Sequence, residues 1–136
     1  MQIRRATKRD VRAIRALLES EVGHWRPEWS NATLTRALVA AGDLALVAVA
    51  RGSILGFACA HDVGFRGYLS DLVVAPGARR RGIGAALLAR IERVLARRGR
   101  RVVIVDAWPP AATYYRKLGW QPPDAVLLAR RLGPAR

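Results

Sequence analysis

The chain has 136 residues, of which 51% are hydrophobic, and carries a formal charge of +14 at neutral pH. That length suits one domain spanning residues 1–136 with a core of its own, and the composition excludes a disordered chain. Lys8 and Lys117 are the only lysines, so the basic excess is arginine; it fits a solvated basic surface and a polyanionic partner equally well.

Residues 2–6, QIRRA, read as an edge strand. Thr7 and Asp10 then announce a helix in which Val11, Ile14, Leu17 and Leu18 recur at helical spacing, ending near Ser20. Gly23 and Pro27 break the stretch GHWRPEWSN, after which Ser30 or Asn31 caps a second helix with Leu34, Leu38 and Val39 on its apolar side. ALVAVA, the turn Arg51-Gly52 and ILGFACAH predict a hairpin, and Gly64 and Gly67 bracket a second turn before the strand YLSDLVV. A long helix is predicted from about Gly82 to Arg98, with Ile83, Leu87, Leu88, Ile91, Val94 and Leu95 on one face and Gly99 at its end. RVVIVDA reads as a strand buried on both faces, residues 111–118 as a short helix ended by Gly119, and AVLLARRL as a last strand.

Cys59 is the single cysteine, which excludes an intrachain disulfide and a cysteine-built zinc site and fits a reducing compartment. The longest apolar run, 44–50, is far below the roughly 18 residues of a membrane-spanning helix, and the N-terminus is basic rather than apolar. A soluble cytoplasmic protein is expected.

The segment PGARRRGIGAALL follows a strand and opens a helix. Unpaired N–H groups and the positive end of the helix dipole converge there on one anion, and diphosphate is the natural ligand. Side chains at Gly82 and Gly84 would hold a phosphate away from the main chain. The run lacks the Gly-Lys-Ser/Thr of an ATPase phosphate loop and the third glycine of a dinucleotide fingerprint, which disfavours ATP and NAD.

Arg79-x-x-Gly82-x-Gly84, after a strand ending LVVAP, resembles the Arg/Gln-x-x-Gly-x-Gly/Ala signature of the GNAT superfamily of acetyl-CoA-dependent N-acetyltransferases. The run from Ala111 through Tyr114, Tyr115, Lys117, Leu118 and Gly119 to Trp120 is similar to a second pattern of that family. One departure is Trp108, which stands where the family often has Asn.

The resemblance implies an α/β (α+β) fold: a mixed, mostly antiparallel central sheet of about six to seven strands, about four flanking helices and two splayed parallel strands. It implies acetyl-CoA as co-substrate, without a metal, its pantetheine lying along the main chain of Leu72, Val73 and Val74 as an added strand would. An N–H near Leu72 would meet the thioester oxygen. The phosphates would lie on the segment of Arg79, Arg80, Arg81, Gly82, Ile83, Gly84 and Ala85. Tyr115 matches the family's acid for the departing thiolate, leaving Tyr114 as the core aromatic.

For the base, Asp71 is the first candidate, because a carboxylate inside a strand of Leu and Val needs a purpose or a partner; Asp106 and water are the alternatives. His24, Trp25 and Trp29 are candidates for the acceptor pocket, against the alternative of a small satellite core. His61 and Asp62 read more simply as a hairpin end than as acceptor contacts. Cys59 reads as a small core residue with no histidine placed by sequence to activate it. The implied activity is acetyl transfer to a primary amine of a small molecule or protein by direct attack in a ternary complex. The alternatives are acetylation of an amine carried on nucleic acid, and a non-catalytic module that binds CoA or nucleic acid. Nothing in these residues fixes whether the chain forms homodimers.

Overall fold

The computed structural model describes residues 1–134, which form two compact units divided after Val105. The first unit holds the strands β1 (Gln2–Arg5), β2 (Ala45–Ala50), β3 (Ser53–Asp62), β4 (Gly67–Val74) and β5 (Val103–Val105). Its helices are α1 (Val11–Glu19), α2 (Asn31–Ala41) and α3 (Ile83–Arg97). The five strands make one sheet in the order β1-β2-β3-β4-β5, antiparallel as far as β4, with β5 parallel to β4.

Local chemistry accounts for the hairpin between β2 and β3. Arg51 and Gly52 both take positive φ, 50° and 76°, the pair of left-handed residues that lets a two-residue turn follow the sheet's twist. Ser30 caps α2, accepting a hydrogen bond from the Thr33 N–H.

The two faces of the sheet carry different helices. Val47, Phe57, Cys59 and Val73 face a core built with Ile14, Leu17 and Leu18 of α1 and Leu34 and Leu38 of α2. The alternate residues face α3: a Cβ built on Gly56 would meet Ile83 at 3.0 Å and Leu87 at 3.2 Å. Val39, placed by the sequence on the apolar side of α2, is 65% exposed. Leu34, Leu38 and Ala41 already fill the buried stripe, and Val39 lies a third of a turn away from it.

Gly67 is not part of a turn: it is the buried first residue of β4, and a Cβ there would come within 2.4 Å of Leu95 in α3. The strand expected over 101–107 is shorter than predicted and buried on neither face, because β5 lies at the sheet edge with β4 as its one neighbour. Among the described residues the sheet has five strands, not the six to seven expected. AVLLARRL forms no strand, and Val126, Leu127, Leu128 and Leu132 are exposed.

The second unit contains α4 (Pro109–Lys117), which starts with prolines at its first two positions and ends at Gly119, whose φ is 95°. Among the described residues no helix is long and apolar enough to cross a membrane.

Candidate active site

Parallel pairing between β4 and β5 covers only Gly67–Leu69 against Val103–Val105. From Ser70 onward, that edge of β4 has no partner strand among the described residues. The pairing of β4 with β3 shifts register at the same place: Leu69 lies opposite Ala60, but Asp71 lies opposite Cys59, so Ser70 is the extra residue of a β-bulge. The Ser70 hydroxyl donates to the Cys59 carbonyl at 3.1 Å.

The bulge reverses which way β4 points its main chain. Before it, the Gly67 N–H donates to Val102 O, on the β5 side. After it, the Ala75 N–H donates to Leu55 O, on the β3 side. Residues two apart in an antiparallel ladder turn their polar groups the same way, so Val73 and Asp71 face β3 while Leu72 and Val74 face the free edge. Leu72 thus offers an N–H and a C=O, and Val74 an N–H, to any extended ligand laid along that edge. The Val74 carbonyl accepts from Arg79 Nε at 3.3 Å.

The chain then passes through Pro76–Ala78 and the arginine segment into α3. Arg80 and Gly82 have φ of 64° and 76°, and this left-handed backbone curls the segment over the helix start. The first α3 bond runs from the Ala86 N–H to Gly82 O. The N–H groups of Ile83, Gly84 and Ala85 precede it and make no main-chain bond among the described residues, the ordinary donor set of a helix N-terminus. A Cβ on Gly82 would meet nothing within 4 Å, so the space beside these donors is open. Gly84 is buried.

Two of the arginines are tied to the protein. Arg79 pairs with Glu21 and holds the Val74 carbonyl, and Arg81 donates to Gly77 O at 3.2 Å. Glu21 is a partner the sequence did not reveal, since the two are 58 positions apart and nothing local links them.

Asp71 shares the α1/α2 face with Cys59. Its carboxylate lies 4.0 Å from Nδ1 of His24, on the loop after α1, with side-chain exposures of 28% and 25% for Asp71 and His24. Asp71 is therefore half-buried with a partner, as its position among apolar residues required. His61 Nε2 lies 3.7 Å from the Cys59 sulfur, so a histidine does sit beside the thiol. Burial, with the charge of Asp71 adding to it, pushes that thiol up to about 12, and a neutral buried thiol is no nucleophile.

Asp62 is occupied elsewhere. It accepts from Arg100 at 2.7 Å, from Arg98 at 3.3 Å and from the Gly64 N–H at 2.9 Å, and the Arg100 hydrogen bond is the main cause that brings its carboxyl down to about 2. Trp25 and Trp29 meet edge to face at 5.8 Å, the Arg15 guanidinium stacks over Trp25 at 4.7 Å, and Trp25 packs on the core. Trp25 thus belongs to a satellite of the core, while Trp29 stands at the surface.

In the second unit Tyr114 is not the core aromatic that the sequence suggests. Tyr115 is 8% exposed, its ring 5.5 Å from Tyr114 and 5.3 Å from Trp120, whereas Tyr114 is 40% exposed. The Trp120 N–H returns to Tyr115 O through the turn at Gly119, which folds the indole onto Tyr115. Partial burial raises the Tyr114 phenol above its ordinary value. Trp108 caps α4 through its carbonyl, which accepts from the N–H groups of Ala111 and Ala112. Asp106 opens this unit.

A mixed sheet whose fourth strand has an open edge beside the bare N-terminus of the following helix defines an α/β protein built to hold an extended ligand with an anionic end. Residues 11–120 match the family described as Acetyltransferase (GNAT) family, and the chain belongs to it. It is 40% identical over 62 residues to a mycothiol acetyltransferase of Geodermatophilus obscurus, a match that covers 46% of this chain and 20% of that protein. It is 32% identical over 93 residues to an acetyltransferase of Yersinia pestis (strain Pestoides F), covering 66% of each. The chain therefore spans about a fifth and about two thirds of the lengths of these relatives. The fold is similar to that of the PaiA N-acetyltransferase from Thermoplasma acidophilum in complex with coenzyme A, with a TM-score of 0.79, 18% identity and coverage of 92% of both chains.

Proposed function

We propose that this chain is a cytoplasmic N-acetyltransferase that moves an acetyl group from acetyl-CoA to a primary amine by direct attack in a ternary complex. One observation carries the reading: the bulge at Ser70 frees the Leu72–Val74 edge of β4 where parallel pairing stops, and that edge leads into the unfilled donors of α3. Pantetheine would extend β4 as a further strand, with the diphosphate on the N–H groups of Ile83, Gly84 and Ala85 and on the curled segment from Arg79 to Gly82.

The thioester oxygen would receive the Leu72 N–H, which a fixed main chain holds ready for the charge that develops as the amine adds. Acetyl transfer requires the acceptor ammonium to lose a proton and the thiolate to gain one. Asp71 is the basic group of the acceptor side and Tyr115 the acid. Trp29, exposed on the loop that carries His24, is the member of the tryptophan pair able to touch an acceptor.

The basic surface gives less support to a nucleic-acid-borne acceptor. Arg98 and Arg100 hold Asp43 and Asp62, and Arg90 donates to the Ile3 carbonyl at 2.7 Å. These three cations have partners on the protein itself.

Calorimetric titration of the nucleic-acid-free protein with acetyl-CoA tests the reading. Saturable binding near one equivalent, followed by thiol release with polyamines, amino acids, peptides or charged tRNA, supports it and identifies the acceptor class. Absence of binding overturns it.

A further inference from the structure

We propose that His24 takes the proton from the acceptor ammonium and that Asp71 acts through it as its charge partner. The inference rests on the acetyl-transfer reading and refines the base assigned there, moving the proton from a carboxylate oxygen to an imidazole nitrogen.

The geometry comes from the bulge. Gly67 and Leu69 face α3, and an unbulged β4 would turn Asp71 to that same apolar face, towards the helix that carries Leu95. The extra residue at Ser70 turns Asp71 to the α1/α2 face instead, where the loop leaving α1 brings His24 Nδ1 to 4.0 Å from its carboxylate. With Nδ1 turned to Asp71, Nε2 lies on the opposite edge of the ring, where the amine would approach. The same bulge sends the N–H of the next residue, Leu72, to the free edge where the thioester would lie. One backbone irregularity therefore sets both the oxyanion donor and the anion that orients the imidazole.

The choice between the two groups follows from basicity. A carboxylate is a weak base towards an alkylammonium, while imidazole is stronger by roughly two pKa units and changes charge near neutral pH. The Asp71 carboxylate, 4.0 Å from Nδ1, fixes which edge of the ring is turned away from the strand. The charged and titratable groups that share a strand face or chain segment with this pair are Cys59 and His61 on β3, on the face of Asp71, and Glu21, Arg26 and Glu28 on the segment of His24. Glu21 receives the His24 N–H on its carbonyl at 3.3 Å, while its carboxylate is held by Arg79. The Asp71 carboxylate faces the ring at 4.0 Å.

In the step, the ammonium N–H bond breaks, its proton goes to Nε2 of neutral His24, and the electron pair stays on the amine nitrogen. That pair forms the C–N bond as the C–S bond breaks. The thiolate takes a proton from the general acid, and the second proton shed by nitrogen restores that acid through solvent. The half-exposed imidazolium returns its proton to water.

The test uses the full chain, with ethylamine in excess as the acceptor probe; His24 and His61 are the only histidines, so His61→Gln serves as the control. Acetyl-CoA affinity is measured first, and failure at that stage overturns the acetyl-transfer reading rather than the pairing. With binding present, His24→Gln should slow ethylamine acetylation by about a hundredfold, abolish the acid limb of kcat/KM and leave acetyl-CoA affinity unchanged. Asp71→Asn should also slow ethylamine acetylation at unchanged acetyl-CoA affinity, and that loss should disappear in the His24→Gln background, because Asp71 acts through the ring. An equal loss from Asp71→Asn in both backgrounds overturns the proposal. So does a His24→Gln variant that keeps the wild-type acid limb.

Discussion

Asp71 lies across the β-ladder from Cys59, whereas Leu69, two residues earlier, lies across from Ala60. Those two pairs are one residue out of step, and the difference puts a carboxylate on the α1/α2 face and a leucine beneath α3. Strand alternation alone would have put both on one face.

Gly67→Ala tests how tightly β4 and α3 are packed. The new Cβ would come within 2.4 Å of a Leu95 methyl that is itself fully buried, so either the side chain leaves its well or the strand shifts. A loss of about 1–3 kcal/mol is expected from such overpacking, measured by urea unfolding with an unchanged m-value.

Gly82→Glu places a like charge in the open space beside the α3 donors. The φ of 76° costs a side chain about 1–2 kcal/mol, so the protein stays folded, but acetyl-CoA binding should vanish in calorimetry. Gly82→Asn, a residue that tolerates left-handed backbone and carries no charge, should keep measurable affinity. Equal loss in both variants would show that backbone shape rather than charge decides.

Tyr115→Phe keeps the buried ring and its packing against Tyr114 and Trp120 while removing the proton donor. A fall in kcat of about a hundredfold at unchanged acetyl-CoA affinity is expected from steady-state rates and calorimetry together. Parallel losses of rate and affinity would assign the phenol to binding.

Asp10 makes stability depend on pH. It is buried, accepts two hydrogen bonds from Arg4 at 2.8 and 2.9 Å and one from the Thr7 N–H at 2.8 Å, and the Arg4 bond is the main cause that holds its carboxyl below the usual value. Because the folded value is the lower one, the stabilisation is complete above the unfolded carboxylate range and disappears as pH falls through the folded value. Asp10→Asn should remove about 1.5–3 kcal/mol at neutral pH and flatten the acid side of the stability profile, read by denaturant titrations across pH. A wild-type acid slope in the variant would assign that slope to other carboxylates.

Much of the site was legible along the chain because its chemistry is local. Gly82 before an amphipathic run marks a helix start with free donors whatever surrounds it, and the segment 79–85 stands where the motif put it. Cys59 was readable as core from its alternation with Phe57. Tyr114 was misread as the core aromatic because the return of Trp120 through Gly119, which covers Tyr115 instead, is not written in the local pattern. AVLLARRL has the composition of a strand, but composition supplies no pairing partner.

The sequence by itself determined the order of helices and strands as far as α4, the left-handed turn at Arg51-Gly52 and the stops at Gly99 and Gly119, since periodicity and permitted φ act within a few residues. Only the tertiary structure decided the bulge at Ser70, the meeting of His24 with Asp71, the clamp of Glu21 on Arg79 and the close approach of Gly67 to Leu95. Each of these joins segments distant in the chain, and its energy exists only once the sheet and its helices have brought them together.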